Sequence, residues 1–150
     1  MRRALAAVFL SGALLATAAC GTEAAPEAAA PDYSANTKTV CTALEDVLSG
    51  RTLEKDTTDA LAKAIKGKKT EAEIEKASIA VMKGVFTDWA TDIEAEAAKA
   101  EDPQLEADIK GFAGALKAEV NKIKVVDDAD KVMDGAAVTA AGEKLDKYCA

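Results

Sequence analysis

Histidine is absent from all 150 residues. That absence excludes Ser-His-Asp and Cys-His catalysis, imidazole metal sites and a histidine pH switch. Serine is nearly as scarce, with Ser34, Ser49 and Ser78 the only three beyond residue 20. No Gly-x-Ser-x-Gly, Ser-x-x-Lys or phosphate-binding glycine loop occurs. Positive charge is outweighed: 19 basic residues face 26 acidic ones, for a net charge of −7. Nucleic acid needs a basic footprint and is not an expected partner. Aromatic residues make up 4% of the chain, so little bulk is available for a large core.

What is abundant is alanine. Hydrophobic residues are 49% of the sequence, and 35 of them are alanine. Alanine favours helix while burying little area, which predicts an all-helical protein with a thin core.

The chain opens with Arg2 and Arg3, followed by an uncharged run from Ala4 to Ala19. A basic start before a short apolar run predicts a secretory signal over residues 1–19 rather than a spanning helix. The run ends in Leu14-Leu15-Ala16-Thr17-Ala18-Ala19-Cys20-Gly21. These residues resemble the lipobox of bacterial lipoproteins, with Thr17 standing where leucine is commonest. The resemblance covers residues 1–21 and implies that Cys20 receives a diacylglyceryl group and becomes the first mature residue. Ordinary secretory cleavage after Thr17-Ala18-Ala19, or an uncleaved anchor, is the alternative. The expected location is the extracytoplasmic side of the cell membrane, held through the lipid.

Three cysteines in an exported chain are an odd number. With Cys20 acylated, Cys41 and Cys149 remain as a pair, and an oxidising compartment permits their disulfide. Two prolines, acids and small residues between Gly21 and Asn36 predict a disordered tether, so that residues 20–36 link the lipid to a domain at 37–150.

From residue 37 the apolar period is helical throughout. Helix one carries Val40, Cys41, Leu44, Val47 and Leu48 and is expected to end at Gly50. A short helix two holds Ala60, Leu61, Ala64 and Ile65 and stops at Gly67, with Lys63, Lys66, Lys68 and Lys69 around its end. Helix three opens on a capping box at Thr70-Glu71-Ala72-Glu73 and is expected to reach about Glu101. Its stripe is Ile74, Ser78, Val81, Val85, Trp89, Ile93, Ala97 and Ala100. Asp102-Pro103 starts helix four, whose stripe is Leu105, Ile109, Phe112, Leu116, Val120 and Ile123. A connector at Asp127–Gly135 leads to helix five, with Val138, Ala141, Leu145 and Tyr148. The predicted fold is a small disulfide-closed bundle of four main helices plus one short helix, following the tether.

Three constellations are candidate sites. Met82, Phe86 and Trp89 widen the helix-three stripe and either line a small apolar pocket or fill the core. Asp88, Asp92 and Glu96, four apart, form a row that is either a solvated face or an acidic surface for a basic partner. In the connector, Asp130, Asp134 and Gly135 match positions one, five and six of a calcium loop. Val132 and Ala141 stand at positions three and twelve, where oxygen ligands are needed. The connector acids are therefore expected to cap helix five, and no metal or other cofactor is expected. The leading expectation is a lipid-anchored, non-catalytic protein-interaction or binding module with an envelope protein as partner. The alternatives are a carrier or sensor of a small apolar or cationic ligand and, as the one catalytic option, a cell-wall hydrolase working through paired carboxylates.

Overall fold

A computed structural model describes residues 31–49 and 51–150, which contain five α-helices, one short 3-10 turn and no strand. The sorting signal, Cys20, most of the expected tether and Gly50 lie outside the described residues.

Helix α1 spans Ser34–Leu48. It starts inside the stretch expected as tether, because Asp32 Oδ1 accepts the Ser34 N–H at 3.0 Å, and this bond holds the Asp32 carboxyl below its usual range. Val40, Cys41 and Leu44 form its buried face. Ser49 closes the helix, its N–H donating to Glu45 O and its hydroxyl to Asp46 O.

Helix α2 spans Arg51–Ile65. Expected to be short, it is fifteen residues long, equal to α1. The stretch Arg51–Asp59 shows no apolar stripe, so no helical period announces its first turns. The turn after it depends on Gly67, whose φ of +81° strains any residue with a Cβ.

Helix α3 spans Glu71–Ala97 and begins with the capping box the sequence predicts. Thr70 Oγ1 accepts the Glu73 N–H at 3.2 Å, and the Glu73 carboxylate accepts the Thr70 N–H at 3.1 Å. That carboxylate also takes the Lys69 N–H, and the backbone bonds hold its pKa low. The helix stops at Ala97, four residues short of the expected end, and α4 then spans Pro103–Val120. Asp102 caps α4 by accepting the Gln104 N–H at 2.8 Å, with Pro103 in the first turn.

A 3-10 turn occupies Val126–Lys131, and α5 spans Ala136–Cys149. The expectation that the connector acids cap α5 is not met: its N-cap is Gly135, with no side-chain bond. Asp128 closes the 3-10 turn instead, accepting the N–H groups of Lys124 and Val125 at 3.0 and 3.2 Å. Gly135 lies close against α4, and any side chain there would have to displace Glu119. A Cβ there would stand 2.7 Å from the Glu119 side chain, which lies across it.

Long-range contacts set the directions. Asn36 meets Lys99 and Glu101, while Val47 meets Trp89, so α1 runs antiparallel to the C-terminal half of α3. The α3–α4 hairpin is bridged by Lys117 and Glu94 at 2.5 Å, a contact that lowers the Glu94 pKa. Asp108 of α4 faces Lys144 and Tyr148, and Glu119 faces Gly135, which makes α4 and α5 antiparallel. Helix α2 packs substantially on α3 alone. The helices α1 and α2 therefore divide α3 between them, α1 against its C-terminal half and α2 against its N-terminal half.

The core lies among α1, the C-terminal half of α3, α4 and α5. Ile93, Ala97, Leu105, Ile109 and Leu116 are fully buried. All six residues of the predicted α4 stripe are buried. By contrast, no described residue of α2 is fully buried. The first eighteen residues of α3 contain no fully buried position either, Trp89 being the first.

Candidate functional site

Cys41 and Cys149 are joined, with Cα atoms 5.3 Å apart and 108 positions between them. Cys41 sits mid-helix in α1 and is buried, while Cys149 is the last residue of α5. An open cleft of about 460 Å³ lies beside the bond, lined by Thr37, Lys38, Thr42, Glu45 and Tyr148 among others.

Met82, Phe86 and Trp89 form a packed cluster. Trp89 is buried and Met82 and Phe86 are partly buried against the core. The Phe86 and Trp89 rings meet edge to face, centroids 6.3 Å apart and planes at 61°. The indole N–H donates to Val47 O at 2.9 Å, so the ring is fixed at both its apolar and polar ends. None of the three lines any of the clefts described here.

The acidic row is shorter than its spacing implies. Asp88 and Asp92 are exposed, but Glu96 is buried and both its oxygens accept the Lys99 ammonium, at 2.7 and 2.8 Å. The reason is the row's own spacing. A step of four residues exceeds the 3.6 of one turn, so the row rotates about 40° per step. By Glu96 it has come round to the buried side, three residues after Ile93 and seven after Trp89. Among the described residues no group of three or more acids or cysteines is placed to hold a metal ion.

Two further clefts coincide with none of the three candidate constellations. One, of about 200 Å³, has Ile123 and Val132 as an apolar floor, with the ion pairs Lys122–Glu119 and Lys131–Asp128 at its rim. The other is a groove of about 310 Å³ between α4 and α5, walled by Ala107, Gly111, Ala115, Ala137, Ala140 and Ala141. Asp108 and Lys144 stand at one end of it, and Tyr148 donates to Asp108. Partial burial and that carboxylate raise the phenol's pKa.

Compared with protein-family models, with curated proteins and with solved structures, the chain matches none of them. Among the described residues no helix is long and apolar enough to cross a membrane.

Asn36, read from sequence as the last residue of the tether, has a structural role. Its side chain donates to Lys99 O at 3.0 Å and accepts the Glu101 N–H at 2.8 Å, tying α1 to the α3–α4 turn. Asn36→Ala removes both bonds and is expected to destabilise the domain by about 1–2 kcal/mol, since each bond of this kind contributes ~0.5–1.5 kcal/mol. Urea unfolding followed by circular dichroism checks it; an unchanged midpoint would show that solvent replaces the clamp without cost.

Proposed function

We propose that this protein is a lipid-anchored, extracytoplasmic, non-catalytic interaction module of the cell envelope. One observation carries the reading furthest: Cys41 and Cys149 pair with each other. That pairing gives two of the three cysteines a structural role suited to an oxidising compartment and leaves Cys20, at the end of the lipobox-like run, as the odd one. The helical domain supports the non-catalytic part. On α3, Asp88 and Asp92 face no cleft described here, and Glu119, Asp128 and Asp108, which border two of the clefts, are paired with lysines. Asp88 and Asp92 are the acidic pair offered to a basic envelope partner.

The test is native mass spectrometry of the protein extracted in mild detergent from its own host membrane, beside a Cys20→Ala variant. The expected result is a mass beginning at acylated Cys20 with a second protein bound, and loss of membrane retention in the variant. Unchanged retention of Cys20→Ala would overturn the anchor. A small-molecule adduct in place of a protein would turn the reading towards a ligand carrier.

A further inference from the structure

The turn between α2 and α3 carries a charge opposite to that of the chain as a whole. Between residues 63 and 76 stand five lysines, Lys63, Lys66, Lys68, Lys69 and Lys76, against three glutamates. Glu73 keeps its charge within the turn, accepting the Lys69 and Thr70 N–H groups, so the local balance is five positive against three negative. Among the described residues none of the five lysines enters an ion pair. A helix C-terminus favours cations in its last turn. That accounts for Lys63, the one basic residue in the last turn of α2. It does not account for Lys66, Lys68 and Lys69 beyond the helix, nor for Lys76 near the positive end of α3.

The same turn shows aliphatic side chains to solvent. Every residue from Ile65 to Lys76 is exposed. Ile65 and Ile74, on either side of the turn, are 37% and 39% accessible. Exposed lysines interspersed with two exposed isoleucines are the pattern of a surface that meets lipid: cations reach headgroup phosphates while the aliphatic groups enter the acyl boundary. A protein partner would more typically find a pocket for an anchoring side chain, and none of the clefts described above includes a residue of this turn.

We propose that the α2–α3 turn docks on an anionic phospholipid surface through Lys63, Lys66, Lys68 and Lys69, with Ile65 and Ile74 entering the lipid. The net negative charge of the chain does not prevent this. Screening at physiological ionic strength cuts off within about 8 Å, so the local sign at the tip decides the encounter and the acidic remainder is held off the surface. The geometry of reach rests on the proposed lipidation of Cys20, whereas the charge argument does not. Helix α3 is 27 residues long, about 40 Å at 1.5 Å per residue. The chain enters the domain beside the C-terminal end of α3, where Asn36 meets Lys99, and the tip is at the other end. Twelve residue steps separate Cys20 from Asp32, which at full stretch span about 40 Å. Anchor and tip can thus touch one membrane at the same time, with α3 inclined towards it.

The experiment uses protein purified from host membranes and reconstituted with vesicles of phosphatidylcholine alone or mixed with phosphatidylglycerol. Hydrogen exchange over residues 61–76 is the readout. Exchange is expected to slow by roughly tenfold on the anionic vesicles, and the protection to vanish in Lys66→Glu/Lys68→Glu/Lys69→Glu and at high salt. Unchanged circular dichroism of the triple variant shows that its fold is intact. Equal exchange on both vesicle types overturns the docking. Equal protection by soluble polyphosphate added to neutral vesicles overturns the commitment to a lipid surface. Failure to float with neutral vesicles defeats the anchor instead. Docking is then read from flotation with anionic vesicles, whose presence supports it and whose absence overturns it.

Discussion

Reduction of the Cys41–Cys149 bond is expected to lower the unfolding free energy by about 4–5 kcal/mol, the value the chain-entropy account gives for a loop of this length. The bond closes 108 positions of sequence, nearly the whole domain. Small domains have about 5–15 kcal/mol of stability in all, so a loss of this size brings the reduced protein close to unfolding at ambient temperature. The thin core adds weight to that expectation, because only 29 of the residues after Cys20 are valine, isoleucine, leucine, methionine or aromatic. Urea unfolding with and without a phosphine reductant, followed by circular dichroism, measures the difference. A larger dependence on urea is expected on reduction, since the freed chain expands further when denatured. A midpoint that stays where it was would mean that packing alone holds α5 to α1. Cys41→Ala/Cys149→Ala provides the independent check.

Trp89→Ala is expected to destabilise by about 3–5 kcal/mol, the range for emptying a buried tryptophan site. Trp89 is 7% exposed, packs edge-on against Phe86 and bonds Val47 O. Truncation therefore opens a void at the junction of α1 with α3 and removes the hydrogen bond from Trp89 to the C-terminal end of α1. Trp89→Phe separates these contributions. It keeps most of the ring volume but lacks the donor, and is expected to cost about 1–2 kcal/mol. Circular dichroism is the required signal, because the chain has one tryptophan and its fluorescence leaves with it. Equal costs for the two variants would assign the stabilisation to the hydrogen bond instead of the buried ring.

Local rules carried the sequence reading a long way. The α4 stripe, the Thr70–Glu73 capping box, the Asp102-Pro103 start and the Cys41–Cys149 pair all appear as spacing and chemistry predict. What stayed hidden depends on neighbours distant in sequence. Asn36 looks like linker because its partners lie 63 and 65 positions away. Glu96 looks solvated because its charge and its place in an acidic row draw attention from its position three residues after Ile93 and seven after Trp89, on the buried side. The first turns of α2 have no apolar period, and they are helical on a segment that packs on one neighbour only. Lysines at the end of α2 were visible as a dipole match. Their role as a patch emerges only when Gly67 turns the chain and places Ile74 on the same exposed stretch as Ile65.

The disulfide also determines how the domain bears mechanical load. Tension applied at the N-terminal side enters at Ser34 and peels at most seven helical residues before it meets Cys41. From there two covalent routes lead to the α2–α3 turn, one directly along α1 and α2, the other through Cys149 and back along α5, α4 and α3. A pull between the N-terminal side and the α2–α3 turn is therefore shared by the two arms of one closed ring. Stripping α1 from α3 does not by itself release the domain.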